Sequence, residues 1–80
     1  MDKIIIVDDH PVVLNGLRSI FMGQGEYRVT GAAINADDAI SLLCKEHPDI
    51  LLVDVELGRG INGIELVRRV RESFPDVKIL

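Results

Sequence analysis

In this 80-residue chain, the residues whose placement most directly suggests a reactive or metal-binding site are three aspartates. Asp8 and Asp9 follow the aliphatic run 4–7, and Asp54 follows a second aliphatic run, 50–53. Short continuous runs of this kind are typical of parallel strands that helices cover on both faces. Because the carboxyl ends of parallel strands meet at one edge of a sheet, we expect the three carboxylates to converge there.

The chemistry of such a cluster follows from its charge. Carboxylates held close together repel one another, so three ionised groups need a compensating cation. Mg²⁺ prefers hard oxygen ligands, takes one or two carboxylates and also accepts phosphate oxygens. Asp8, Asp9 and Asp54 therefore predict a magnesium site for phosphoryl transfer, with Asp54 as the nucleophile. Each aspartate taken singly fits a helix cap or a turn equally well, and only their joint placement favours chemistry.

Strand and helix signals alternate along the rest of the chain. Helical spacing of apolar residues follows Pro11 to about residue 22, a second helix begins near the capping side chains of Asn35, Asp37 and Asp38, and Asn62 can cap a third. Strands are predicted at 4–7, 27–33, 50–53 and 77–80. In the second strand, apolar residues alternate with polar ones, which is typical of a sheet edge.

This βαβαβαβ order predicts an α/β fold with a doubly wound parallel sheet and right-handed crossovers. With strands one and three buried and strand two at an edge, the order is 2-1-3-4. The winding then reverses at strand one, and ligands bind at such a reversal, beyond the carboxyl ends of the strands. The three aspartates follow these strand ends.

Composition limits the other functions open to the chain. A hydrophobic content of 48% and a charged content of 28% predict one small domain over residues 1–80. The net charge of -4 argues against nucleic-acid binding by this chain itself. The apolar runs are too short to cross a membrane, and the first residues do not resemble a signal peptide, so we expect a cytoplasmic protein.

Several other residues carry weaker signals. Cys44 lies among helical leucines and is expected to be buried. His10 adjoins the aspartates, but solvent exposure in a loop is the simpler expectation. Arg68, Arg69 and Arg71 alternate with acidic residues on a helix, which predicts a solvated face on which Glu65 pairs with Arg69 rather than a basic binding patch.

Four segments together resemble a known family. The segment 7–17, which contains the Asp-Asp-His-Pro sequence, is similar to the opening of receiver domains of two-component response regulators attached to helix-turn-helix transcription factors. Segments 48–54, 62–66 and 74–79 resemble the third strand, the start of the third helix and the entry to the fourth strand of the same family.

The resemblance implies a flavodoxin-like fold and a regulatory phosphoacceptor rather than an enzyme. Asp54 would take a phosphoryl group from a histidine kinase. Asp9 would bind Mg²⁺ directly, Asp8 through water, and Asp54 and the backbone carbonyl of Glu56 would complete the protein ligands. The parent protein would be a DNA-binding transcription regulator.

By the same resemblance, the fifth strand and the family's phosphate-binding Ser or Thr and Lys would follow Leu80. The chain is then a C-terminally truncated receiver, which we expect to self-associate through its uncovered sheet edge and to be phosphorylated weakly.

Three alternatives stay open at this point. Gly58, Gly60 and Gly63 match the GxGxxG pattern of dinucleotide-binding folds, although a single match is weak. A metal-dependent aspartyl phosphatase would require a second aspartate two positions after the nucleophile, and this chain has Glu56 there. The third alternative is an α/β interaction module without chemistry.

Overall fold

Strands and helices alternate through the chain in the predicted order. The computed structural model describes residues 2–23, 25–54 and 63–80. Its elements are β1 (Asp2–Val7), α1 (Pro11–Met22), β2 (Tyr27–Ala33), α2 (Ala36–Glu46), β3 (Ile50–Val53), α3 (Gly63–Ser73) and β4 (Lys78–Ile79). The expected fourth strand is thus shorter than residues 77–80, and the predicted cap Asn62 lies outside the described residues.

The four strands form one parallel sheet in the order β2-β1-β3-β4, which confirms the predicted topology. In the register of β1 and β3, Ile4 pairs with Ile50 and Val7 pairs with Val53. The two strands therefore end side by side, and the residues that follow them leave the sheet at the same edge.

Helices cover the two faces of the sheet unequally. On one face, α1 packs through Leu14 against Ile4 and Ile6, with Leu17 and other partly buried side chains around them. On the other face, α2 and α3 form the larger cluster of buried side chains: Ile5, Val7, Ala33, Ala36, Ala39, Leu43, Leu51, Leu66 and Val70. The alternate residues 4–7 of β1 thus face opposite helical layers, which explains why this part of the strand is continuously apolar.

A register shift in β2 changes which of its residues face which layer. Ile4 pairs with Val29, but Ile5 pairs with Gly31, so Thr30 is an extra residue in the edge strand. The residue pattern correctly predicted an edge strand, but the alternation of faces that it implies is interrupted after Val29. Val29 faces the α1 layer, whereas Gly31 lies against Leu42 of α2, whose side-chain carbons would be 3.2 Å from an added Cβ.

Local signals explain where the helices begin and end. Pro11 occupies the first turn of α1, and the side chain of Asn35 accepts a hydrogen bond from the Asp38 N–H at 2.8 Å, which confirms it as the cap of α2. α2 ends at Glu46, and His47, its C-cap, has a left-handed φ of 49°. Cys44 is exposed, so its expected burial was wrong: Leu43 takes the inward position, and the next residue is rotated about 100° away from it.

None of the helices in the described ranges combines the length and the apolar character needed to cross a bilayer.

Candidate functional site

The backbone of the sheet fixes two of the three aspartates. The Asp8 N–H donates to the Ala33 carbonyl at 3.0 Å, and the Asp54 N–H donates to the Val7 carbonyl at 2.9 Å. Both residues are therefore held by the last hydrogen bonds of the parallel ladders. Asp9 follows Asp8 directly, so the sheet edge also determines where Asp9 lies.

The side chains of these residues form a carboxylate cluster, the name used below for Asp8, Asp9 and Asp54. The Asp8 side chain is 11% exposed, whereas Asp9 and Asp54 are 28% and 27% exposed. The cluster is thus open to solvent on the Asp9 and Asp54 side and closed beneath Asp8. A ligand can approach from the open side.

The spacing of the cluster suits a small hard cation. One ligand atom from each aspartate and one from His10 all lie within 4.8 Å of one another. In an octahedral magnesium site, oxygens on opposite sides of the ion are about 4.2 Å apart, because each bond is about 2.1 Å long. Small side-chain rotations would bring the carboxylate oxygens to that spacing. The predicted convergence of the three aspartates is therefore what the structure shows, and the oxygen donor set fits Mg²⁺.

His10 contacts the cluster, although its side chain is 64% exposed. Its backbone N–H donates to Asp8 Oδ1 at 2.9 Å, and its ring Nδ1 lies 2.9 Å from the same oxygen. The same Nδ1 is 2.9 Å from Asp9 Oδ1 and 4.0 Å from Asp54 Oδ2. The expected exposure of His10 is therefore confirmed, and the structure adds a contact with the aspartates. Its position next to two acidic residues was the sequence signal that could have suggested this contact.

The acidic surroundings change the protonation of His10. The hydrogen bond with Asp8 and the negative charge of Asp9 raise the pKa of the imidazole above its ordinary value of 6.5. Asp54 adds a smaller effect in the same direction. Protonated His10 is thus favoured at this edge of the sheet.

Two arginines of α3, Arg68 and Arg69, pair within their own helix. Arg68 forms a two-point ion pair with Glu65 and a hydrogen bond with Glu72 at 2.9 Å, while Arg69 Nε lies 3.6 Å from Glu65. The hydrogen bond with Arg68 lowers the pKa of Glu65. This confirms the solvated, internally paired face and adds Arg68 as the main partner of Glu65.

Some predicted residues lie outside the described ranges. These are Glu56, the proposed carbonyl ligand, and two of the pattern glycines, Gly58 and Gly60. Gly63, the third glycine, is the first residue of α3 and is buried.

Comparison with known proteins identifies the class. The family model described as the response regulator receiver domain matches residues 4–80. The chain therefore belongs to the response regulator receiver domain family, the regulatory domains of two-component systems. This assignment confirms the resemblance drawn from the four segments, and it does not support a dinucleotide-binding function for the glycine pattern.

Individual relatives agree with this family. The chain is 32% identical over 78 residues to the transcriptional regulatory protein DegU of Brevibacillus brevis, covering 98% of this chain and 33% of that protein. It is 36% identical to the oxygen regulatory protein NreC of Staphylococcus carnosus (strain TM300), covering 98% of this chain and 36% of that protein. The chain thus spans about a third of the length of these relatives.

A solved structure shows the same fold. The response regulator RcsB of Salmonella enterica serovar Typhimurium, bound to promoter rprA in the presence of the phosphomimetic BeF3-, superposes with a TM-score of 0.90 at 28% identity. The match covers 99% of this chain and 66% of that chain. The flavodoxin-like doubly wound architecture expected from the sequence is therefore confirmed.

Proposed function

We propose that residues 1–80 are a phosphoacceptor unit in which Asp54 takes a phosphoryl group from a sensor histidine kinase or phosphotransfer protein. The observation that carries this proposal is the convergence of Asp8, Asp9 and Asp54, whose ligand atoms lie within 4.8 Å at the reversal point of the sheet. Asp8 and Asp54 both directly follow a strand, and of these two the Asp54 side chain is the more open to solvent, at 27% against 11% exposed.

The transfer balances without any further reactant. An Asp54 carboxylate oxygen attacks the phosphorus of a phosphohistidine, a P–O bond forms, and the P–N bond breaks. The electron pair of that bond goes to the ring, which leaves as neutral imidazole because its other nitrogen carries a proton in the reacting phosphohistidine, and Asp54 becomes an acyl phosphate. The backbone bond from the Asp54 N–H to Val7 orients the nucleophile by fixing where its side chain leaves the sheet.

We further propose Mg²⁺ as the cofactor, held by Asp9 and Asp54, with Asp8 acting through water and the Glu56 carbonyl as a third protein ligand. The three carboxylates supply hard oxygen donors at a spacing that fits the ion. When bound, Mg²⁺ neutralises charge on the transferring phosphoryl oxygens and on the cluster itself. The chain's own contribution is to bring the acceptor and the metal ligands to one edge of the sheet.

Labelling by a small acyl phosphate tests the acceptor. The full chain is incubated with acetyl phosphate and MgCl₂, and the intact mass is followed over time. We expect a slow gain of one phosphoryl group, which peptide mapping assigns to Asp54. BeF3- with Mg²⁺ should bind the same site in competition with labelling.

Two matched variants control this experiment. Asp54→Asn should abolish labelling, whereas Asp76→Asn, the same change at an exposed residue near the start of β4, should leave it intact. Labelling that persists in Asp54→Asn would show that another group is the acceptor. If the wild-type chain is not labelled and Asp54→Asn leaves the Mg²⁺ affinity unchanged, the chain is better described as an interaction module without chemistry.

For the whole protein, we propose a cytoplasmic transcription regulator with a separate DNA-binding region. DegU and NreC carry regulatory names, and RcsB is bound to a promoter, while this chain spans about a third of the curated relatives. This chain itself carries a net charge of -4, so the DNA contact belongs elsewhere.

We also propose that copies of this chain associate through the β4 edge. β4 ends the strand order, and Leu80 next to it is 61% exposed. Strand edges with open hydrogen-bonding groups and apolar side chains favour pairing between molecules. Light scattering over a concentration series should show dimers or larger species, and a monomer at every concentration would rule this out.

A further inference from the structure

The imidazole of His10 lies at the place in the carboxylate cluster where a cation would be expected. Its Nδ1 is 2.9 Å from Asp8 Oδ1, 2.9 Å from Asp9 Oδ1 and 4.0 Å from Asp54 Oδ2. One ring atom thus faces an oxygen of every aspartate in the cluster.

The groups around Nδ1 determine whether this nitrogen carries a hydrogen or has a lone pair available to a metal. Ionised carboxylates only accept hydrogen bonds, so the ring nitrogen that is hydrogen-bonded to Asp8 Oδ1 at 2.9 Å must carry a hydrogen. This is true of the neutral ring with its hydrogen on Nδ1 and of the charged ring alike. In both forms the lone pair of Nδ1 is not available to a metal.

We propose that His10 is a positioning residue that holds the carboxylate cluster together without metal and competes with Mg²⁺ for the same oxygens. This inference rests on the proposed function, because it takes the cluster to be the magnesium site. Mg²⁺ then binds when the His10 ring moves away from the aspartates. The ring is free to do so, because its side chain is 64% exposed and makes no capping bond to α1.

The alternative is that His10 is itself a ligand, since its ring nitrogen belongs to the group of atoms within 4.8 Å. Two observations favour competition instead. Nδ1 is already a hydrogen-bond donor to Asp8, and Mg²⁺ prefers oxygen to imidazole nitrogen. The two roles predict opposite effects when the ring nitrogen is removed.

Magnesium binding to the full chain tests the inference. MgCl₂ is titrated calorimetrically into wild type, His10→Phe and His10→Ala, with His47→Asn as a control that removes the other histidine. Both His10 variants should bind Mg²⁺ about two- to fivefold more tightly than wild type, the range expected for removing a solvent-screened ion pair. His47→Asn should match wild type, because His47 lies at the end of α2, away from the strand ends that carry the cluster.

A second readout follows the ring directly. In wild type, the NMR signals of the His10 ring should shift with the same Mg²⁺ midpoint as the calorimetry, while those of His47 stay in place. A purely structural role of His10 would not produce this matched midpoint.

The possible outcomes separate the two proposals. Unchanged or weaker Mg²⁺ affinity in both His10 variants would contradict the competition between His10 and Mg²⁺. A His10 NMR signal that does not shift while Mg²⁺ binds would contradict it as well. Neither result would contradict the magnesium site itself. A chain that binds no Mg²⁺ in any form overturns both the magnesium site and the role of His10.

Discussion

Replacing Asp54 with asparagine removes one negative charge from the carboxylate cluster and keeps the shape of the side chain. In the absence of a divalent cation, that charge is repelled by Asp8 and Asp9 and attracted by His10, whose Nδ1 lies 4.0 Å away. Two repulsions thus oppose one attraction. We expect the metal-free Asp54→Asn variant to be more stable than wild type.

The size of this expected gain in stability follows from the distances between the charged groups of the cluster. Two unit charges 4.8 Å apart interact with about 0.9 kcal/mol in bulk water and about 3.5 kcal/mol at an effective dielectric constant of 20. The Asp54 side chain is 27% exposed, which places the interaction between these limits. With one repulsion offset by His10, the free energy of unfolding should rise by about 1–2 kcal/mol.

Urea unfolding in EDTA at pH 7 measures this change, with the midpoint and slope fitted separately. Asp76→Asn is the matched control, since it also removes one carboxylate charge. Asp76 lies near the start of β4, whereas the cluster follows the carboxyl ends of β1 and β3. The stability of Asp76→Asn should stay within about 0.5 kcal/mol of wild type, as for most exposed substitutions.

Adding MgCl₂ should reduce the difference in unfolding free energy between Asp54→Asn and wild type. Wild type gains about 1.4 kcal/mol when Mg²⁺ is present at ten times its dissociation constant, because only the folded chain binds it. Asp54→Asn has lost a ligand and should gain less at the same concentration. Equal stability of the two proteins in EDTA, or equal stabilisation of both by Mg²⁺, would refute the electrostatic reasoning.

Three further results are expected. Asn35→Ala should lower the free energy of unfolding by about 1 kcal/mol and Asn35→Gly by only a few tenths, since glycine also suits a helix N-cap; chemical denaturation separates the two. Leu66→Ala should cost about 2–5 kcal/mol in the same assay, because Leu66 is fully buried, and a smaller loss would mean that the α3 layer packs loosely. NMR titration in EDTA should give a lower His10 pKa in Asp8→Asn than in wild type, and an unchanged pKa would contradict the Asp8 contact. Because folding raises the pKa of His10, its protonation stabilises the folded chain at pH values below the unfolded pKa. This stabilisation is lost as the pH rises through the raised folded pKa.

The fold was predictable where the sequence pattern matches one physical environment. The continuous apolar runs of β1 and β3 require cover on both faces, and the polar residues of β2 require an edge, which together set the strand order. The register shift at Thr30 was not predictable, since alternation in a sequence does not show where an extra residue interrupts pairing. Cys44 was misjudged because apolar neighbours on a helix do not all point inward.

The candidate site was predictable to the level of the backbone. Strand ends determine where Asp8 and Asp54 leave the sheet, so their convergence follows once the strand order is known. The contact of His10 depends instead on the rotamer of an exposed ring, which sequence spacing does not determine. Glu56 stays a prediction, because it lies outside the described residues.

The amides of Asp8 and Asp54 belong to the sheet, while the carboxylates of the same residues face the open edge. Each amide donates to a carbonyl of a neighbouring strand, at 3.0 Å and 2.9 Å. Deuterium should therefore replace these two hydrogens slowly, at rates set by opening of the central strands rather than by movement of the side chains above them. The two residues thus provide a built-in probe that distinguishes loss of the scaffold from a change confined to its rim.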